Sequence, residues 1–290
     1  MKRLFVFLTV LCLVSCTTTL ELEQGVYEPK VVVDGYIESG NYASIFLTWS
    51  SPFLTNYDSA SIRGTFINNA TITLTCSNGD SEVLTLFRRD EFFPPFVYKS
   101  VRVKGLVGYT YEIAVRIKGK IITASTTIPT APELDTLCME AMTDSSGLLS
   151  VTVHPSATKD VYLFAQLKSM LEGENYHPAK IPVFRIPPLD EIQKIYLYRT
   201  RATNLYLIDD TEEYYHGWES YQYAFIDTVF VKIGAIDSVS YQVLKSLYVD
   251  QSMQTNPFAF NTAGILTNIK GGIGRWTGIG MAPYQVYLKK

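Results

Sequence analysis

The chain has 290 residues, 47% hydrophobic and 18% charged, with a formal net charge of −3. That hydrophobic content excludes a disordered chain, which could not bury enough apolar surface to order itself. The lack of a basic excess argues against a nucleic-acid-binding surface. Length alone suggests two domains, and 20 tyrosines favour strands and half-buried surfaces over helices.

Lys2 and Arg3 precede an apolar run from Leu4 to Leu13. This run is too short to cross a bilayer, which takes about 20 residues, but it suits the h-region of a signal peptide. Leu13-Val14-Ser15-Cys16 follows directly. It resembles the bacterial lipoprotein signal, in which the cysteine is lipidated and becomes the mature N-terminus; an ordinary secretory signal with an incidental cysteine is the alternative. On the lipoprotein reading, residues 1–15 are signal peptide, Cys16 is the lipid-attachment residue and 16–27 form a tether. Loss of Lys2 and Arg3 leaves 23 basic against 28 acidic side chains, a net charge of −5. Cys76 and Cys138 then lie in a compartment that permits disulfides, and two separate buried thiols are expected rather than a bridge. No second apolar stretch reaches spanning length, so the lipid would be the sole membrane attachment.

From Lys30 the apolar residues recur at every second position. Lys30–Ile37 reads as a strand closed by Glu38-Ser39-Gly40-Asn41, and Ala43–Trp49 as its antiparallel partner. Ala70–Phe87 reads as a hairpin about Asn78-Gly79. A two-residue loop there pairs Leu74 with Val83, whereas the hydrophobic match pairs Leu74 with Leu84 and Ile72 with Leu86. A bulge is expected to reconcile the two registers. Tyr109, Tyr111, Ile113, Val115 and Ile117 alternate with more polar neighbours, and Gly119 turns that strand into Lys120–Thr127. Between the hairpins, Phe92-Phe93-Pro94-Pro95-Phe96 is a loop or a sheet edge, because its prolines cannot donate ladder bonds. Six or seven short strands over 28–130 describe an N-terminal immunoglobulin-like β-sandwich.

Thr127-Ile128-Pro129-Thr130-Ala131-Pro132-Glu133 reads as the connector. Residues 131–290 read as a second, tyrosine-rich β domain carrying one helix, which makes the whole chain mainly β. Leu148–Val153 and Asp160–Leu167 look like a strand pair, and His177–Pro188, with four prolines, like a surface loop. Ile195–Arg199, Asn204–Ile208 and Thr228–Ile233 are further strand candidates. The helix is placed at about 237–251, with Asp237 as N-cap and Tyr241, Leu244 and Tyr248 on its apolar stripe. The glycine-rich stretch from Gly264 to Gly280 reads as bulges and turns that need positive φ.

Chemistry is mostly absent. Gly272-Ile273-Gly274 lacks the Lys-Ser/Thr of a phosphate loop and follows a helix instead of opening one. Glu213, His216 and Glu219 are metal-ligand types, but no second histidine stands near and a catalytic zinc needs three protein ligands. No nucleophile elbow or zincin motif occurs. The expectation is therefore a non-enzymatic protein without metal or cofactor. Tyr214, Tyr215, Trp218, Tyr221, Tyr223 and Phe225 place six aromatics in twelve residues. Such faces beside carboxylates suit sugar or peptide recognition, and a tyrosine-lined core is the alternative. Tyr214, Tyr215, Trp218, Tyr221 and Tyr223 are the candidate ligand-binding residues.

Val31-Val32-Val33-Asp34-Gly35-Tyr36-Ile37 resembles the opening strand of the Bacteroidota cell-envelope lipoprotein family called domain of unknown function 4249. Ser44-Ile45-Phe46-Leu47-Thr48 with Ser51-Pro52-Phe53 is similar to its second strand, and Gly105 to Tyr111 with Lys118-Gly119-Lys120 resembles its Gly-x-x-Gly-x-Thr-Tyr hairpin. Asn256-Pro257-Phe258 and Asn268-Ile269-Lys270-Gly271-Gly272-Ile273-Gly274 look like its closing motif. The likeness runs from about Glu28 to Leu288 and is weakest over 170–225. It implies an outer-membrane lipoprotein, often encoded with TonB-dependent transporters, and brings no catalytic residues. The expected role is an accessory or ligand-binding partner of a TonB-dependent nutrient transporter. A surface adhesive or structural protein-interaction module is the alternative, and no nucleic-acid partner is expected.

Overall fold

The computed structural model describes residues 27–51, 58–91, 94–171, 175–188, 191–199, 222–248 and 266–287. Its first strands are β1 (Val31–Glu38), β2 (Tyr42–Trp49), β3 (Thr71–Cys76), β4 (Ser81–Val83), β5 (Thr85–Arg88), β6 (Phe96–Lys104), β7 (Thr110–Ile117) and β8 (Lys120–Thr127). The later ones are β9 (Leu134–Ala141), β10 (Ser146–Val153), β11 (Val161–Ser169), β12 (His177–Ile186), β13 (Gln193–Leu197), β14 (Tyr223–Ala224), β15 (Val229–Ile236), β16 (Ile273–Met281) and β17 (Gln285–Tyr287). Two helices accompany them among the described residues. The short α1 (Ser59–Gly64), which no apolar periodicity marks, is capped at its N-terminus by an Asp58–Ser61 capping box, and α2 is Ser238–Tyr248. The chain is mainly β, as composition and alternation require.

A long sheet runs β12-β11-β15-β16-β1-β2-β6-β5, with β17 beside β15. Two four-stranded sheets pack against it, one of β4-β3-β7-β8 and one of β13-β10-β14 with β9. The first core lies between β1, β2 and β6 and the β3–β7–β8 sheet, around Val33, Ile45, Ile72, Tyr111, Ile113 and Trp276. The second joins Leu149, Val151 and Leu197 to Leu163, Val229, Val231 and Ile233. Ala235 of the second core sits directly across the ladder from Gly280, which has the parity of Trp276. Side chains alternate along strands, so both small sheets cover the same face of the long one. Helix α2 lies on the opposite face, over β11, β12 and β16. There Phe164, Ile236, Leu244 and Ile279 form a third, smaller core.

Local details correct several expectations. In the β3–β4 hairpin, Leu74 pairs with Glu82, not with Val83 or Leu84. The loop is three residues, Ser77-Asn78-Gly79, with Gly79 at φ +98. A left-handed third residue is the usual partner of such a loop. The pattern misled because an acidic residue occupies an inward position. Glu82 is 6% exposed and accepts from the backbone N–H groups of Val101, Arg102 and Val103 at 2.7, 2.9 and 2.8 Å. Those amides belong to a bulge where β6 leaves its register with β2. After Leu84 the chain changes sheets, and β5 pairs with β6.

Strands β10 and β11 do form, but in different sheets, so they are not a pair. The proline-rich 177–188 segment is a strand, β12, where a loop was expected. It is the outermost strand of its sheet, where missing N–H donors cost least. The glycine-rich C-terminal stretch contains β16, which runs parallel to β1. A division of the chain near residue 130 assigns β16 to the second module, whereas its Trp276 lies in the first core. Helix α2 starts as expected, with Ser240 N donating to Asp237 Oδ1 at 2.7 Å. Cys76 and Cys138 are unbridged; Cys76 is buried, but Cys138 is exposed, contrary to the expectation of two buried thiols.

Two outcomes follow from this packing. In protein lacking residues 1–16, a thiol reagent should modify one cysteine, Cys138, in the native state and reach Cys76 only on unfolding. Glu82→Ala removes the acceptor of three bulge amides, each worth about 1 kcal/mol or more. Urea unfolding should show a loss of about 2–3 kcal/mol, and a loss below about 1 kcal/mol would contradict the bracing role.

Candidate functional site

The cysteine and most of the aromatics singled out from the sequence, namely Cys16, Tyr214, Tyr215, Trp218 and Tyr221, lie outside the described residues. So do Glu213, His216 and Glu219 of the possible metal triad, and no His, Cys, Asp or Glu cluster able to hold a metal occurs among the described residues. Tyr223 is described. It is 1% exposed and belongs to the second core, so it is buried instead of presenting a surface.

A different aromatic grouping arises from the helix-bearing face of the long sheet. Along β11 the residues Tyr162, Phe164, Gln166 and Lys168 share that face, opposite Ile236, Gly234, Lys232 and Phe230 of β15. Helix α2 covers the first two rungs, with Tyr241 stacked at 4.8 Å from Tyr162 and Tyr248 at 6.4 Å from Phe164. The eleven-residue helix spans about 16 Å at 1.5 Å per residue. On the remaining rungs Gln166, Lys168, Phe230 and Lys232 each keep part of their surface exposed.

At that open end the cations are arranged over aromatic rings. Lys168 Nζ stands 4.8 Å from the Phe230 centroid and 5.9 Å from that of Tyr176. Lys232 Nζ stands 5.1 Å from Tyr176 and 5.5 Å from Tyr284. All four distances lie within the range where a ring quadrupole attracts a cation. Lys232 also donates to Glu38 Oε1 at 2.8 Å, and Asn41 Nδ2 donates to the other carboxylate oxygen at 2.9 Å. This pair joins β15 to β1 across β16. Burial pulls the Lys232 pKa down, but the Glu38 hydrogen bond and charge outweigh it, so the net direction is upward. Burial raises the Tyr176 phenol more than Lys232 lowers it, so Tyr176 is neutral at physiological pH. Lys168 has no carboxylate partner among the described residues.

A second charged pair lies under the helix. Arg275 Nε donates to Asp34 Oδ1 at 2.6 Å, and its guanidinium is 5.9 Å from the Phe164 ring. Its Nη1 is buried without a hydrogen-bond partner. Arg275 is enclosed by protein, so it serves the helix–sheet contact and offers no opening to a ligand.

The open-end residues were missed because they are scattered through the chain. Their signal was present: Phe230 and Lys232 alternate with the apolar Val229, Val231 and Ile233, and Gln166 and Lys168 with Leu163, Ala165 and Leu167. Alternation marks a second face but not which strands share it.

The fold thus defines a class: a mainly β protein in which two small sheets share one long sheet, whose other face is partly open among the described residues. The chain belongs to the family described as a domain of unknown function (DUF4249), which matches residues 17–280. No curated protein matches it. Among solved structures it is similar to a DUF4785 family protein from Legionella pneumophila, with 13% identity, a TM-score of 0.23, and coverage of 71% of this chain and 52% of that one. The chain thus spans about half of that protein's length. It is also similar to a segment of two fibronectin type III domains from chicken tenascin, with 13% identity, a TM-score of 0.20, and coverage of 72% and 91% respectively.

The Glu38–Lys232 pair can be tested by a mutant cycle. Lys232→Met leaves a carboxylate only 6% exposed on its side chain without its cation, which should cost about 3 kcal/mol or more. Lys232→Met with Glu38→Gln should recover at least half of that loss in urea unfolding; equal losses would refute the coupling. Because the native state holds the Lys232 proton more tightly, its contribution is present throughout neutral pH. It should fade only as pH rises above about 10.4, the ordinary lysine value.

Proposed function

We propose that the protein is a cell-envelope lipoprotein of a Bacteroidota type, anchored in the outer membrane through lipid on Cys16. It binds a ligand on the open end of its long sheet and acts as an accessory of a TonB-dependent nutrient transporter. The observation that carries the binding role is the grouping of Tyr176, Phe230 and Tyr284 with Lys168 and Lys232 on that end. Aromatic rings on a rigid sheet supply contact area at low entropy cost, and charged groups among them supply orientation. The anchor rests on the run Leu4–Leu13 followed by Leu13-Val14-Ser15-Cys16. The role carries no catalytic step. The Glu38 carboxylate is engaged by Lys232 and Asn41, and among the described residues no second acid pairs with it as a general acid–base pair would.

Two experiments test the two halves of this reading. Growth with labelled palmitate should label the native chain and not Cys16→Ala; equal labelling, or none in either, would contradict the anchor. Affinity purification of the native lipoprotein should recover an outer-membrane transporter of the TonB-dependent class. Recovery of matrix or fimbrial proteins without a transporter would favour the adhesive role instead.

A further inference from the structure

We propose that the open end of the long sheet binds an oligosaccharide carrying carboxylates, a uronate-type glycan, with Lys168 as the residue that reads the negative charge. This rests on the reading that this face is the ligand site and goes beyond it by naming the ligand class.

Charge is the first argument. The chain is acidic overall, yet this face presents two lysines. Lys232 is neutralised by Glu38 at 2.8 Å, whereas Lys168 has no carboxylate among the described residues. Lys168 is half-buried and held between Phe230 and Tyr176. An ammonium beside aromatic faces, with no carboxylate partner among the described residues, complements a carboxylate attached to a flat, weakly apolar ring.

Backbone pairing is the second argument. Strand β11 is paired with both β12 and β15, and β15 with β11, β16 and β17. An extended peptide gains affinity by adding to a free strand edge, and the strands that carry Gln166, Lys168, Phe230 and Lys232 have none; the nearest free edge is that of β12. A saccharide needs no ladder; its hydroxyls pair with side chains such as Gln166, which shares a rung with Lys232, and its C–H faces stack on aromatic rings.

Shape is the third argument. Tyr176 precedes β12, Tyr284 precedes β17, and Phe230 lies on β15, so the rings are spread over a sheet surface. Tyr284 is 58% exposed. Small molecules bind in concave pockets that bury most of their surface, whereas a row of rings on a sheet suits a chain of several sugar units.

The test is isothermal titration of the protein lacking residues 1–16 with tetrasaccharides of galacturonate, mannuronate and glucuronate, each beside its methyl ester. At least one acid should bind, its ester about tenfold more weakly. Lys168→Met, which keeps the aliphatic stem, should lower affinity for the acid about tenfold and leave the ester unchanged. Tyr284→Ala should weaken both. Equal binding of acid and ester, with Lys168→Met silent and Tyr284→Ala weakened, would overturn the charge assignment and keep the face as a saccharide site. Absence of binding by every member would overturn the proposal, and competition for palmitate-independent transporter co-purification by Tyr284→Ala would then decide whether the face is a ligand site at all. Unfolding curves matching wild type confirm that each variant is folded.

Discussion

The architecture depends on one strand insertion: β16, from near the end of the chain, lies parallel to β1 near its beginning. Its register places Trp276 beside Gly35 and Arg275 beside Asp34. Trp276 is fully buried, and its Nε1 donates to the Tyr111 carbonyl across the sandwich at 2.9 Å. Its own backbone is held by Asn268, which accepts from Trp276 N at 2.9 Å and donates to Trp276 O at 2.7 Å. The close approach of the two strands needs Gly274, which has φ +113 and where a Cβ would lie 2.0 Å from the Val33 carbonyl oxygen. An L side chain there would meet both strain and collision.

Because β16 sits between β1 and β15, it welds two four-stranded layers onto one sheet. The seam is reinforced from the sides. Thr126 Oγ1 accepts from Gly278 N at 2.8 Å and donates to Asp237 Oδ2 at 3.0 Å, while Asp237 Oδ1 caps α2. One aspartate therefore ties the helix to the first sandwich. The Glu38–Lys232 pair joins β1 to β15 further along the seam. The helix thereby has a fixed place on the opposite face, and what it leaves uncovered is the aromatic and cationic end proposed as the site. Function and scaffold meet at Lys232, which serves the seam through Glu38 and the face through Tyr176 and Tyr284.

Much of the first sandwich was legible because period-two alternation survives wherever one face is buried, as from Tyr111 to Ile117. Legibility failed where a polar group took an inward position for a nonlocal reason. Glu82 broke the hairpin register because its acceptors serve amides about twenty residues away. Strand β12 was hidden by prolines that only an edge position tolerates. Strand β16 was hidden because glycines that permit close backbone approach look the same, in sequence, as glycines that make turns. The site was the least legible part. Its residues come from β11, β15 and two connecting segments, and pairing between distant strands leaves no mark in either one.

The most direct test of the strand insertion uses a fragment. Residues 28–130 would be expressed alone and unfolded in urea, with and without a peptide of residues 266–287, while tyrosine fluorescence and circular dichroism are followed. If β16 completes the first core, the fragment alone should show no cooperative transition, and the peptide should restore one. A fragment that unfolds cooperatively by itself, with a midpoint the peptide does not change, would contradict it.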